Sequence, residues 1–284
     1  MKKFLVLLGA LALAAASGTA TAVASCSPSS DKWTETGVSY VNSQAGGQGL
    51  ASWSNHSLLF RGNGSIPQDL RDQGWTHVGD PEIARQHIFD AYQGNGGATA
   101  KMFAVTTPGG KRLVYTHQLQ GDERMNNSFA AVSPDAQWLI SGEWDQQDRL
   151  LVFPAPLFNA QAPSGGGELP EAGRISLDHP VRDIQGCDFV SARRLVCASD
   201  DSTLSLWPVE RPLFQVDLDR ALDGKPVTGR VSVILPLPQR SACAGTGFET
   251  EGVDYDARTG TLRVEVIPPG ECAASTAVYT YSTH

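Results

Sequence analysis

His77-Val78-Gly79-Asp80-Pro81-Glu82 is the densest run of reactive side chains in the sequence. A histidine changes charge near neutral pH and can take or give a proton. Asp80 and Glu82 stand two apart, so on a strand they share a face. Paired carboxylates of that kind could serve acid–base chemistry on a glycosidic bond. His77, Asp80 and Glu82 therefore form the candidate catalytic set. The competing reading is a Gly-Asp-Pro turn with a histidine that satisfies a backbone carbonyl. Glu143-Trp144-Asp145 could stack a sugar or simply pack. His56, His87, His117 and His179 show no ligand spacing. The chain has no G-x-S-x-G, no H-E-x-x-H, no P-loop and no EF-hand loop. No standard motif names a reaction.

Such residues need elements to hold them. Gly (29) and Pro (17) punctuate short β-rich runs, the all-β pattern. The clearest runs are 101–105, 112–116, 138–141, 149–153, 203–207 and 261–266. Helix is scarce. Residues 81–90 could form a turn or two of helix behind Asp80, or a strand at 87–92. Residues 162–171, with Gly165-Gly166-Gly167, are a loop. Three segments share a spacing. His77 is followed eleven residues on by Ile88, Ser128 by Leu139, and Glu251 by Leu262. Each reads as strand, turn, strand, and a period near 40 marks a propeller array.

Ala131-Val132-Ser133-Pro134-Asp135 with Trp138-Leu139-Ile140-Ser141 resembles the hairpin of WD-type and related bacterial propellers. The stretch from Cys197 to Trp207 resembles the last two strands of the same repeat. Glu251-Gly252-Val253-Asp254-Tyr255-Asp256, with Gly260 and Leu262, is similar to an element of gluconolactonase- and regucalcin-type propellers. The resemblance covers about half of the chain beyond residue 25. It implies an all-β domain over 51–284, a β-propeller of about five antiparallel four-stranded blades, with four or six also compatible. In such a fold the starts of the innermost strands ring a channel mouth. His77, Ser128 and Glu251 would then converge, with Asp80, Glu82, Asn126, Asn127 and Asp254 as neighbours. The family's metal-ligand glutamate falls on Glu251. Its asparagine position falls on Ser128, with Asn127 one residue early. Glu251, Asn127 and Asp254 would make a hard oxygen set suited to Ca2+.

Residues 1–25 have a positive start, a short apolar core and small residues, the pattern of a removed secretory signal. Two cleavage sites compete. Ala22-Val23-Ala24 is an A-x-A site, whereas Val23-Ala24-Ser25-Cys26 resembles a lipobox whose Cys26 carries lipid. Residues 26–50 read as a tether and lead-in. Loss of Lys2 and Lys3 takes the net charge from −8 to −10. That acidity argues against nucleic acid and against electrostatic docking on anionic lipid. Cys187 and Cys197 lie symmetrically about Ala192, facing each other across a hairpin if 191–193 is the turn. Their expected pair type is the closer, non-hydrogen-bonded one. Cys243 and Cys272 would then pair around the last hairpin. No C-x-x-C spacing offers a metal site instead, and export favours disulfides. Cys26 is the odd cysteine, which lipidation would explain.

The leading expectation is an exported binding module of the cell envelope, either secreted or lipid-anchored to the outer face of the cytoplasmic membrane. It would be a monomer, bind an extracellular protein or small molecule, and touch a membrane through its N-terminal lipid alone. The alternatives are a metal-dependent lactonase or phosphoesterase and a carbohydrate-active enzyme.

Overall fold

A computed structural model describes residues 32–125 and 128–283. Residues 1–25, Cys26, Asn126 and Asn127 lie outside the described residues. The chain is all-β, as expected. It opens with β1 (Trp33–Asn42), followed by the hairpin of β2 (Gly49–Ser52) and β3 (Leu58–Arg61). The stretch that reads as tether and lead-in thus includes β1 and the start of β2.

Next come β4 (Trp75–Val78) and β5 (Glu82–Ala84), two halves of one strand broken at 79–81. Both pair with β6 (His87–Gly94), which continues through β7 (Ala100–Thr106) to β8 (Arg112–Gln118). Residues 81–92 are therefore strand, turn and strand. Arg85 and Gln86 supply the turn at φ 48° and 65°, the left-handed pair that a two-residue hairpin demands. A second group holds β9 (Ala131–Val132), β10 (Trp138–Ser141) and β11 (Gln146–Pro154). After a loop, β12 (Gly167–Glu168) adds to β8, and β13 (Gly173–Arg182) returns to β11. A third group is β14 (Ile184–Ser191), β15 (Arg194–Ser199), β16 (Pro212–Leu218) and β17 (Val227–Pro236). The last is β18 (Glu249–Asp256), β19 (Thr261–Ile267) and β20 (Ser275–Thr283), completed by β1 along the edge of β20.

Burial follows from sequence pattern. β13 alternates, with Ile175 and Leu177 inward and Ser176 and Asp178 outward. In β15 the whole run Leu195 to Ser199 is buried, as a short apolar stretch between turns predicts. Apolar layers fill the gaps between neighbouring strand groups. Phe103, Phe153 and Leu139 meet in one, Trp138, Phe189 and Phe214 in the next, and Val196, Leu213 and Tyr281 in a third.

The first strand of each group faces the middle of the molecule. β18 touches β2, β2 touches β5, β5 touches β9, β9 touches β14, and β14 touches β18. Five short strands therefore close a circuit. The circuit has one thin sector, because β2 and β3 form a two-stranded sheet of their own.

Both expected disulfides are formed, Cys187–Cys197 and Cys243–Cys272. Cys187 and Cys197 stand directly opposite with their Cα atoms 4.1 Å apart, which fits the closer pair type.

Candidate functional site

The five inner strands run in one sense, and their C-terminal ends surround a cleft of about 410 Å³. Ser52 lines it from β2, Glu82 from β5, Val132 from β9, Asp188 from β14, and Asp254 and Tyr255 from β18. Each of the five sectors contributes a wall.

Two carboxyls meet at the cleft wall. Glu82 reaches Asp188 within hydrogen-bonding distance. Asp188 is held by the backbone amides of Phe189 and Tyr255, both at 2.6 Å. Glu82 accepts from the amide of Ile83 at 2.6 Å. Both side chains are half-buried. Burial raises the pKa of both, and the neighbouring charge of Asp254 adds to it. Two carboxyls so placed repel when both are charged, which favours the protonated form of one of them. Asp254 is neutralised differently. It accepts from Ser52 N at 2.7 Å, Ser52 Oγ at 2.6 Å and Arg263 Nη1 at 2.6 Å.

The rim is built on the first turn of each sector. Arg85 lies 5.3 Å over the Phe158 ring and donates to the Asp135 carbonyl at 2.9 Å. Gln86 donates to Ser54 Oγ at 2.8 Å. His56 and Arg258 both grip Asp256, at 2.7 and 3.1 Å. Burial opposes those bonds, yet together they hold the Asp256 carboxyl below the usual range.

Beneath the cleft the axis is closed by Asp80. Its two oxygens accept from Leu50 N at 3.0 Å and Val253 N at 2.9 Å. Glycines let the strands approach it. A Cβ on Gly252 would stand 2.3 Å from Asp80 Oδ1, and one on Gly186 2.6 Å from Oδ2. Burial pushes the Asp80 carboxyl well up, against the pull of the two amides.

The far end of the circuit is packed rather than open. Glu251 is buried and accepts from Gln48 Nε2 at 3.0 Å. Glu265 is wholly buried, and neither of its oxygens has a hydrogen-bond partner among the described residues. Burial raises both carboxyls well above their ordinary range. Ser128 Oγ donates to the Ile184 carbonyl at 2.5 Å. It is Asp80, three residues beyond His77, that stands level with this region, bridged to Phe129.

Of the sequence candidates, the cleft brings together Glu82 and Asp254. Asp80 lies below them, and Glu251 lies in the packed interior. His77 sits on β4 opposite Gln93, outside the cleft lining, with its pKa lowered by burial. Asn127 lies outside the described residues. Among the described residues no group of three or more His, Cys, Asp or Glu side chains is placed to hold a metal ion. Asp188 is the residue the sequence reading missed. Its signal was local: Cys187 turns to the core with its disulfide partner, so the next residue on the strand must face the other way.

A second buried ionic group lies between the β8 and β11 groups. Lys101 Nζ sits 3.1 Å from Glu123, and His117 Nε2 sits 2.8 Å from the other Glu123 oxygen. Lys101 also donates to the Gly142 carbonyl at 2.6 Å. It is buried and ties two strand groups together.

No family model and no curated protein matches the chain. Among solved structures, a chain from "Crystal Structure of Mitotic Checkpoint Complex" is similar over 96% of this chain and 98% of its own, at 7% identity and a TM-score of 0.33. A likeness that loose carries no weight for fold or function.

Proposed function

We propose that this chain is an exported, five-bladed β-propeller whose axial cleft binds a small polar molecule or a protruding peptide side chain. The closed circuit of five inner strands supports the propeller reading, with the β2–β3 hairpin as a reduced blade. Export is supported by the N-terminal signal pattern and by two disulfides, which persist in oxidising compartments. The observation that carries the binding reading is the cleft itself, walled by every sector and bearing Glu82, Asp188 and Asp254. Few converging polar groups in a preformed concavity are the usual marks of a ligand site. Carboxyl oxygens accept hydrogen bonds, so the ligand presents donors: hydroxyls, amines or a guanidinium.

The carbohydrate-active alternative gains nothing from this pair. Glycosidases hold their carboxyls roughly 5 to 9.5 Å apart to leave room for the sugar or a water, whereas Glu82 and Asp188 touch.

The test begins with native mass spectrometry of the purified protein, to detect a retained ligand. Thermal shifts follow with polyols, amino sugars and short arginine-containing peptides. A hit should raise the melting temperature of the natural protein and leave Asp188→Asn and Glu82→Gln unmoved. A hit that shifts all three proteins alike would place binding elsewhere and reject the cleft.

A further inference from the structure

Exposed charges are distributed unequally between the two ends of the molecule. Inner strands run toward the cleft, so the turns that follow them lie on the cleft face, as do the turns between the third and fourth strands of each group. Those turns carry Arg85, Lys111, Arg193, Lys225 and Arg258, all exposed, against exposed Asp135, Asp219 and Asp223, and they surround the cleft carboxyls Glu82, Asp188 and Asp254. Arg220 is there as well, 3.5 Å from Asp223. The connections at the other end carry exposed Asp122, Asp145, Glu249 and Glu271 against exposed Arg124 and Arg240, while Glu143 and Asp201 there are buried in ion pairs with Arg149 and Arg182. Lysine shows the bias most sharply. Lys101 is buried, and the other described lysines, Lys32, Lys111 and Lys225, are all exposed at the cleft end.

The chain also enters at that end. Trp33 pairs with Thr283, Ser282 with Thr261, and Thr261 with Asp256 at the cleft. The Trp33 ring packs edge-on to Tyr255, 6.0 Å between centroids, and Tyr255 lines the cleft. Trp33 stands seven positions after Cys26, a span of at most roughly 25 Å.

We infer that the cleft face docks on an anionic bilayer surface, held there by the N-terminal lipid and by the basic turns around the cleft. The inference rests on the reading of Cys26 as the lipid anchor. A net charge of −10 for the exported part hides the arrangement, because a sum over residues does not record which end the exposed lysines occupy. The exposed carboxylates of the other end point away from the lipid, where repulsion from anionic headgroups is screened within about a Debye length. A ligand of the cleft would then be met at the membrane surface rather than in bulk solution.

The experiment uses the full chain processed by a host that lipidates exported proteins, placed on vesicles of phosphatidylglycerol with phosphatidylcholine or of phosphatidylcholine alone. Amine acetylation reads Lys32, Lys111 and Lys225, and carbodiimide labelling reads Asp145, Glu249 and Glu271 at the far end. Labelling of the three lysines should fall several-fold on the anionic vesicles, with the carboxylates unchanged. Lys111→Glu with Lys225→Glu, both in exposed turns, should abolish the difference between vesicles. Binding of the unlipidated Cys26→Ser chain to the anionic vesicles should weaken by roughly fivefold for each of these lysines neutralised.

Equal lysine labelling on both vesicles, or protection of the carboxylates, overturns the inference. So does equal protection by soluble polyphosphate without vesicles, which would make the partner a free anionic polymer. The mass of the mature N-terminus decides the anchor separately. If Cys26 carries no lipid, the anchor reading fails. The same footprint with a lipid coupled to the Cys26 thiol then tests the facing of the cleft by itself.

Discussion

Asp80 shows how one side chain can be structural in a place that looks chemical. Its carboxyl caps two backbone amides from different inner strands at the molecular axis. Each buried amide left without an acceptor costs about 1–3 kcal/mol. Asp80→Ala should therefore lower unfolding free energy by about 2–5 kcal/mol, read from urea midpoints. Asp80→Asn should cost much less, since the amide oxygen keeps one acceptor and no charge is buried. A mild Asp80→Ala would mean that water or relaxation replaces the carboxyl. Lys101 is the ionic counterpart. It is fully buried against Glu123, and its removal strands that carboxyl and the nearby His117. Lys101→Met should destabilise by about 3–5 kcal/mol, with Glu123→Gln added in the same chain recovering part of the loss. Full additivity of the two changes would show that the pair is not coupled.

At the scale of elements, closure depends on β1. It lies on β20 from Trp33 to Asn42, and its loss would leave β20 as a bare edge. An exported chain beginning at Ser43 should melt far lower and aggregate, since an unpaired edge templates association. Unchanged melting would show that the ring closes without it. The disulfides make a finer test. Cys187–Cys197 closes a separation of 10 residues and Cys243–Cys272 one of 29. In the loop-entropy picture these contribute roughly 2.5 and 3.5 kcal/mol. Paired alanine substitutions should then differ by about 1 kcal/mol in the entropic part, with the larger loss at Cys243 and Cys272. Cys187 and Cys197 are also buried in the core, so a reversed order would mean that packing outweighs loop closure.

For the molecule as a whole, buried carboxyls set the response to pH. Asp80, Glu251 and Glu265 have pKa values raised by burial. A raised folded pKa gives stability that is complete below the unfolded value, near 4, and is lost as pH rises through the folded value. Glu123 and Asp256 act in the opposite sense. Burial opposes the shift, but His117 and Lys101 hold Glu123 down at about 2, and His56 with Arg258 holds Asp256 low. Their contribution is present above the unfolded pKa and disappears on strong acidification. Melting temperature should therefore peak in the mildly acidic range and fall toward pH 9. Glu265→Gln should flatten the alkaline side, because no partner of its oxygens is lost. A melting temperature that climbs steadily to pH 9 would contradict this assignment.

Local pattern determined a large part of this protein. The all-β class, the hairpin disulfide and several strands were legible because period, turn chemistry and cysteine symmetry are short-range properties. The run 138–141 is β10, and 261–266 falls within β19. Strand β1 was not legible as part of the sheet, because its partner lies about 240 residues away and a strand without its partner looks like a polar linker. The cleft was only half legible. Glu82 and Asp254 stand out as acids in strand-like runs; the facing of Asp188 follows from its neighbour Cys187, but what it faces is set by the circuit of inner strands, which no local spacing encodes. Charge was the most misleading quantity in the sequence. A sum over residues is blind to direction, and strand polarity alone puts the exposed lysines on one face. Tertiary structure decided what lies across the axis from what, because that depends on how the ring closes and not on any one turn.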